Sequence, residues 1–166
     1  MDTKRLRHVL GSFATGVCVI TMPDPDHVAG HVLGMTANSF TSVSLDPPLI
    51  LWCLDLKAHR CGVFTGAGRF GVNVLSAGQE TLSRRFAREN AHIVADEGLL
   101  SDDHPLKLRN VAAFLDCEHF ATYEAGDHRI IVGRVTQFER DDSLGGLTFY
   151  GGRYGEIGPL KQDKIA

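Results

Sequence analysis

The chain has 166 residues, of which 43% are hydrophobic, and a formal net charge of −3. This predicts a single globular domain over 1–166 with a core of its own. The lack of a basic surplus argues against a nucleic-acid partner, and no apolar run is long enough for a membrane helix.

Met1 to His8 is charged and no apolar stretch follows it, so a secretory leader is not expected and a cytoplasmic location is. The four cysteines, Cys18, Cys53, Cys61 and Cys117, are scattered without a C-x-x-C pair. Free thiols in a reducing compartment are the simplest account of that spacing.

In chain order, Leu6, Val9, Leu10 and Phe13 recur at helical spacing and predict an amphipathic helix ended by Gly16. Val17 to Met22 reads as a strand, Pro23 to Asp26 as a turn, and Val28 to Leu33 as the returning strand of a hairpin. A polar turn then leads to an apolar strand, Leu49 to Leu54. His59 to Thr65 predicts a short helix, Phe70 to Leu75 a strand, and Gln79 to Asn90 a helix. From Ala91 to Leu108 the pattern weakens into a surface excursion. Ala113 to Tyr123 and His128 to Phe138 read as strands joined by the turn Glu124 to Asp127. Leu147 to Tyr150 is the final strand, before a glycine-dense tail, Gly151 to Gly155. Many short strands and few helices predict a closed antiparallel barrel.

The segment Gly34 to Pro48, GMTANSFTSVSLDPP, is the most informative. Its short side chains let a ligand approach backbone N–H groups, and its hydroxyls and the Asn38 amide add donors without bulk. A flat, anionic heterocycle needs such a surface. The same residues could instead bond their own backbone in a loop.

Gly66 to Gly71 matches G-x-G-x-x-G but precedes a strand instead of following one, so it reads as a helix end and turn. His27 and His31, and Cys117 and His119, are thin metal signals without further ligands nearby. No G-x-S-x-G elbow is present. Gly126-Asp127-His128 displays a histidine at a strand start, either as a site residue or as a solvated turn residue. Arg84, Arg85 and Arg88 form a basic helix face that could meet a phosphate or simply water.

Taken together, LRHVLGSFATGVCVIT, GMTANSFTSVSLDPPLILWCLD, FGVNVLSAGQETLSRRFA, GDH with IIVGRV after it, and LTFYGGRYG resemble the flavin reductase family, the small reductase components of two-component flavin-dependent monooxygenases. The resemblance spans nearly the whole chain. It implies a mainly β fold with a few helices, an antiparallel, Greek-key-like split β-barrel of the FMN-binding type, and a homodimer with flavin near the subunit interface. It places Thr36, Ala37, Asn38 and Ser39 along the isoalloxazine edge, and Ser42 and Val43 on the ribityl side. Cys53, Leu54, Lys57, His59 and Arg60 would approach the phosphate or adenylate part, completed by Arg85 and Phe86. His128 would face the nicotinamide as the catalytic contact, with Tyr150 and Tyr154 near it. His59 and Arg60 stand where relatives commonly carry small serines.

The implied activity is NAD(P)H-dependent reduction of FMN or FAD by hydride transfer, with reduced flavin passed to a separate oxygenase. The flavin carries the hard step, so the protein needs no acid, base or nucleophile. One alternative is a split-barrel protein that binds flavin or haem without turnover. Another is a pyridoxamine-phosphate-type oxidase, which would need a basic pocket beyond Arg84, Arg85 and Arg88.

Overall fold

The computed structural model describes residues 1–25, 31–58, 61–88, 92–93 and 98–158. The chain begins with helix α1, Thr3–Leu10, whose N-terminus is capped by the Asp2 carboxylate accepting from the Lys4 and Arg5 amides. The helix stops at Gly11, not at the expected Gly16. Its apolar residues Leu6, Val9 and Leu10, and Phe13 after it, are exposed.

The strands are β1 Thr15–Gly16, β2 Cys18–Pro23, β3 Val32–Ala37, β4 Thr41–Leu45, β5 Pro48–Asp55 and β6 Arg69–Val74. They continue with β7 His92–Ile93, β8 Ala113–Ala125, β9 His128–Arg140, β10 Leu147–Tyr150 and β11 Arg153–Glu156. Helix α2, Cys61–Gly66, and helix α3, Glu80–Phe86, complete the set, the latter preceded by a 3-10 turn at Ala77–Gln79. The main sheet runs β4-β5-β9-β8-β6-β2-β3-β7, with every adjacent pair antiparallel. A small sheet, β1-β10-β11, stands beside it. Among the described residues the main ladder ends at β4 and β7, the arrangement of a split barrel.

Strand β2 explains why the fold needs two cores. Successive side chains on a strand face opposite ways. Cys18, Ile20 and Met22 enter a core with Trp52, Phe64 and Phe70, while Val17 and Val19 enter a second with Phe86, Leu108, Phe114 and Leu147. A strand buried on both faces reads as one apolar run, which is how Val17 to Met22 stands in the sequence.

The second core corrects the expected surface excursion. Leu106 and Leu108 are buried there. They are held by the buried Asn73 amide, which donates to the Leu106 carbonyl at 3.1 Å and accepts from the Leu108 N–H at 2.7 Å. The Thr21 hydroxyl donates to the same Leu106 carbonyl at 2.6 Å. This anchoring satisfies polar groups that burial would otherwise leave unpaired.

Two more elements differ from expectation. Helix α3 ends at Phe86, short of Asn90, and residues 89–90 lie outside those described. The glycine tail forms a hairpin, with β11 pairing β10 across Gly151 (φ +57°) and Gly152 (φ +79°). Two central residues with positive φ suit the right-handed twist of a tight hairpin.

Asp116 is buried on β8 and accepts from Arg69 Nε at 2.8 Å and from Thr136 Oγ1 at 3.3 Å. Burial alone would raise its pKa, but the Arg69 hydrogen bonds and charge outweigh this and hold it below the usual carboxylate value. A carboxylate lowered in this way stabilises the fold above its unfolded pKa. That contribution disappears as pH falls through the folded value. Arg69→Met, which strands the buried charge, should lower unfolding free energy by about 2–4 kcal/mol at neutral pH. The difference from the parent should shrink below about pH 4. Urea unfolding across pH checks both statements, and a pH-independent difference would contradict them.

Candidate functional site

The segment expected as a turn at 36–39 is the end of strand β3 followed by a short break, Asn38–Phe40, before β4 begins. Three interactions shape it. Strand β4 pairs with β5 no further along β5 than Leu51. Beyond that point the Ser39 hydroxyl takes the strand's place, accepting from the Cys53 N–H at 2.9 Å and donating to the Cys53 carbonyl at 3.3 Å. Among the described residues strand β7 pairs β3 at Val32 and Leu33, and α3 lies against β3 further along. There the Thr36 hydroxyl donates to the Ser83 carbonyl at 2.7 Å. Phe86 lies so close to Gly34 that a Cβ on Gly34 would come within 2.7 Å of its ring.

These contacts sort the expected flavin residues. The Thr36 and Ser39 hydroxyls are committed to protein partners. Ala37 is buried, and its carbonyl accepts from the Cys18 thiol at 3.2 Å. Leu54 and Phe86 place their side chains in the two cores. Asn38, Ser42 and Val43 are exposed, as is Lys57 in the turn after β5. Cys53 is half-buried, and Arg85 sits over the Phe86 ring at 5.4 Å. His59 and Arg60 lie outside the described residues. The structure thus gathers residues 34–39, Cys53 and α3 into one region, with Asn38 outward. Gly34 and Ser83 were missed as site-shaping residues. Gly34 stands inside the quoted GMTANSF motif, whereas no local pattern distinguishes Ser83.

His128 opens β9 and lies opposite Asp55 of β5, while the Leu56 N–H donates to the Asp127 carbonyl at 2.9 Å. The turn is therefore fastened to the end of the strand that carries Cys53. Asp127 Oδ1 lies 2.7 Å from His128 Nδ1, and that hydrogen bond lowers the Asp127 pKa. An ionised carboxylate only accepts, so Nδ1 carries a proton and Nε2 is left for another partner. Tyr150 is exposed. Tyr154 is half-buried, with its hydroxyl 2.9 Å from Ser83 Oγ and its ring beneath the Arg84 guanidinium at 4.8 Å. Arg84 also pairs with Glu80 at 2.7 Å, so it belongs to the α3 surface.

Exposed polar groups run along this edge from Ser42, opposite Ile50 near the start of β5, past Asn38 to Lys57 beyond its end, a chemistry of hydroxyl, amide and cation suited to a long anionic heteroaromatic ligand. The glycine motif at 66–71 runs from the last residue of α2 into the start of β6, with the helix preceding the strand. Among the described residues, no three His, Cys, Asp or Glu side chains gather to hold a metal. His27 lies outside them, and His119 Nε2 is 2.7 Å from the Thr122 hydroxyl.

Residues 10–158 match the flavin reductase like domain. The chain belongs to this family. It is 47% identical over 155 residues to a probable flavin reductase of Rhizobium meliloti, covering 92% of this chain and 48% of the relative. It is 43% identical to the stachydrine N-demethylase reductase subunit of the same organism, covering 92% of this chain and 65% of that one. The chain thus spans between about half and two thirds of these two relatives' lengths. Among solved structures, it is similar to the NADH:FAD oxidoreductase of Streptomyces globisporus in complex with NAD and FAD fragments. Identity there is 37% and the TM-score 0.83, covering 95% of this chain and 94% of the other.

Burial pushes the Cys18 and Cys117 thiols up to about 12, while Cys53 and Cys61 are half-buried. Reaction requires an accessible thiolate. A maleimide should therefore modify Cys53 and Cys61 in the native protein, and all four cysteines only after unfolding. Peptide mass mapping checks this, and native labelling of Cys18 or Cys117 would contradict the packing of β2 and β8.

Proposed function

We propose that the chain is an NAD(P)H-dependent flavin reductase that reduces FMN or FAD and supplies it to a separate monooxygenase component. The observation that carries this reading is the exposed Asn38 at the β3–β4 break, braced by α3 on one side and by Cys53 of β5 on the other. Family membership, the Streptomyces globisporus neighbour and the demethylase reductase subunit support it.

Bound flavin supplies the hydride acceptor and bound nicotinamide the donor. The protein then has to hold two rings in register and complement developing charge. Asn38 and the backbone of 36–39 hold the polar edge of the flavin, with Ser42 and Val43 beside its chain. Cys53, the backbone of Leu54, Lys57, His59, Arg60 and Arg85 take the phosphate end, and the packed Phe86 keeps α3 in place. His128, oriented by Asp127, holds the nicotinamide together with Tyr150. No proton needs to move at the reacting atoms, so the Asp127–His128 pair has to position a ring and not to transfer a proton.

The chain forms a homodimer in the cytoplasm under this proposal. Large apolar side chains are exposed on the edge strand β4, on β9 and at the N-terminus: Leu45 at 93%, Phe138 at 80% and Phe13 at 78%. Large apolar side chains left this exposed gain from cover by a partner, and a split barrel with its ligand at an edge gains cover from a second copy. Sedimentation equilibrium should return twice 18.1 kDa at micromolar concentration. A stable monomer would overturn the dimer.

The function is tested by oxidation of NADH and NADPH with FMN and with FAD, followed at the nicotinamide absorbance band. Turnover with at least one pair is expected. Flavin binding without oxidation of either nicotinamide would instead identify a non-catalytic flavoprotein.

His128→Ala should slow flavin reduction at limiting NADH by about five- to thirtyfold, the loss of a positioning contact, and leave flavin affinity unchanged. Stopped-flow reduction checks this. Equal rates at all NADH concentrations would remove His128 from the site.

A further inference from the structure

We infer that Tyr154 is a positioning residue for the flavin-holding end of β3, acting through Ser83, and not a contact to the nicotinamide. This rests on the flavin reductase reading and assigns a role within that same site. Helix α3 meets β3 at two places: Phe86 over Gly34, and the Ser83 carbonyl on the Thr36 hydroxyl. That carbonyl also accepts from the Ala87 N–H at 3.1 Å, so it carries both the last turn of the helix and the tie to β3. The Ser83 side chain is fully buried and meets the Tyr154 hydroxyl at 2.9 Å.

One residue, Ser83, is therefore held from two sides. Its main chain faces the strand that ends at Asn38, and its side chain faces the C-terminal hairpin. Tyr154 is itself fixed by Phe149, edge to face at 5.2 Å, and by the Arg84 guanidinium at 4.8 Å over its ring. A tyrosine packed in this way and bonded to a buried hydroxyl transmits the hairpin's position to β3. Removing its hydroxyl leaves the buried Ser83 hydroxyl short of a partner, a cost that is met by letting α3 shift. The shift is felt at Thr36, two residues before Asn38.

The test uses Tyr154→Phe, Ser83→Ala and the double variant, all retaining the packed shapes, with Asn38→Leu as a control on the flavin segment. Flavin dissociation constants come from fluorescence titration, KM for NADH from assays at saturating flavin, and folding from thermal melts. Each single variant should weaken flavin binding about three- to tenfold, the range expected for one lost hydrogen bond. The double variant should be no weaker than the worse single one, because both remove the same bond. KM for NADH should stay within about twofold of the parent, since uniform binding of nicotinamide is untouched.

A raised KM for NADH with unchanged flavin affinity in Tyr154→Phe would overturn the inference and make Tyr154 a nicotinamide contact. Additive losses in the double variant would also overturn it, by separating the two hydroxyls. If Asn38→Leu weakens flavin binding while Tyr154→Phe does not, only the positioning role fails. If Asn38→Leu leaves flavin affinity unchanged, the flavin segment itself is misassigned and the positioning role falls with it.

Discussion

The close approach of α3 to β3 is the constraint on which the site depends. At Gly34 the strand presents no side chain, and the Phe86 ring occupies the space a Cβ would need. Any larger residue would displace the helix, because packed interiors have little slack for an added methyl. The hydrogen bond from Thr36 to Ser83 then fixes the helix along the strand. Together they bring the β3 end and the arginine-bearing helix into one rigid unit. A ligand surface made of backbone and small side chains works only on such a unit, since loose donors pay an ordering cost on each binding event.

The rest of the sheet supplies the second wall. Strand β4 releases β5 after Leu51, and Ser39 replaces it at Cys53. This substitution keeps the Cys53 main chain satisfied while opening the strand end that leads to Lys57. The long β8–β9 ladder extends beside β5 and carries the Gly126–Asp127 turn, so that His128 lies opposite Asp55. Gly126 adopts φ +65°, a value that favours glycine, which fits the tightness of that turn. The candidate site is thus assembled from a break braced by the Thr36 and Ser39 hydroxyls, and from a strand end and a turn set by main-chain pairing.

Much of this was legible in the sequence because the signals were local. The strand β2, the long pair β8 and β9, and the apolar β5 each carry a strand pattern bounded by turn residues. The return of the β2 hairpin, by contrast, was expected at Val28 to Leu33, and β3 runs Val32–Ala37, sharing only Val32 and Leu33 with that expectation. The Ser/Thr-rich stretch after Val32-Leu33 was legible as important but not as structure. Its hydroxylated residues belong mainly to β3 and β4, and what looked like a set of ligand donors is partly internal bracing. Composition does not distinguish a hydroxyl aimed at a ligand from one aimed at a carbonyl across the fold, as Thr36 and Ser39 show. The burial of Leu106 and Leu108 was illegible for a similar reason, because their partners Asn73 and Thr21 are distant in sequence. The β10–β11 hairpin carried a usable signal, the Gly151-Gly152 pair, that was read as a tail. Helix α1 showed amphipathic spacing, yet its apolar side chains remain exposed in the single chain. Periodicity reports a face that wants cover, not which molecule covers it.

The central claim is that the ligand surface is the braced β3 end with the adjoining end of β5. Hydrogen–deuterium exchange, with and without saturating flavin, measures this most directly. The account predicts slower exchange concentrated in 34–44 and 53–57, with smaller changes in α3. Protection centred instead on the groove of about 480 Å³ between 101–114 and 139–142, with 34–44 unaffected, would contradict it.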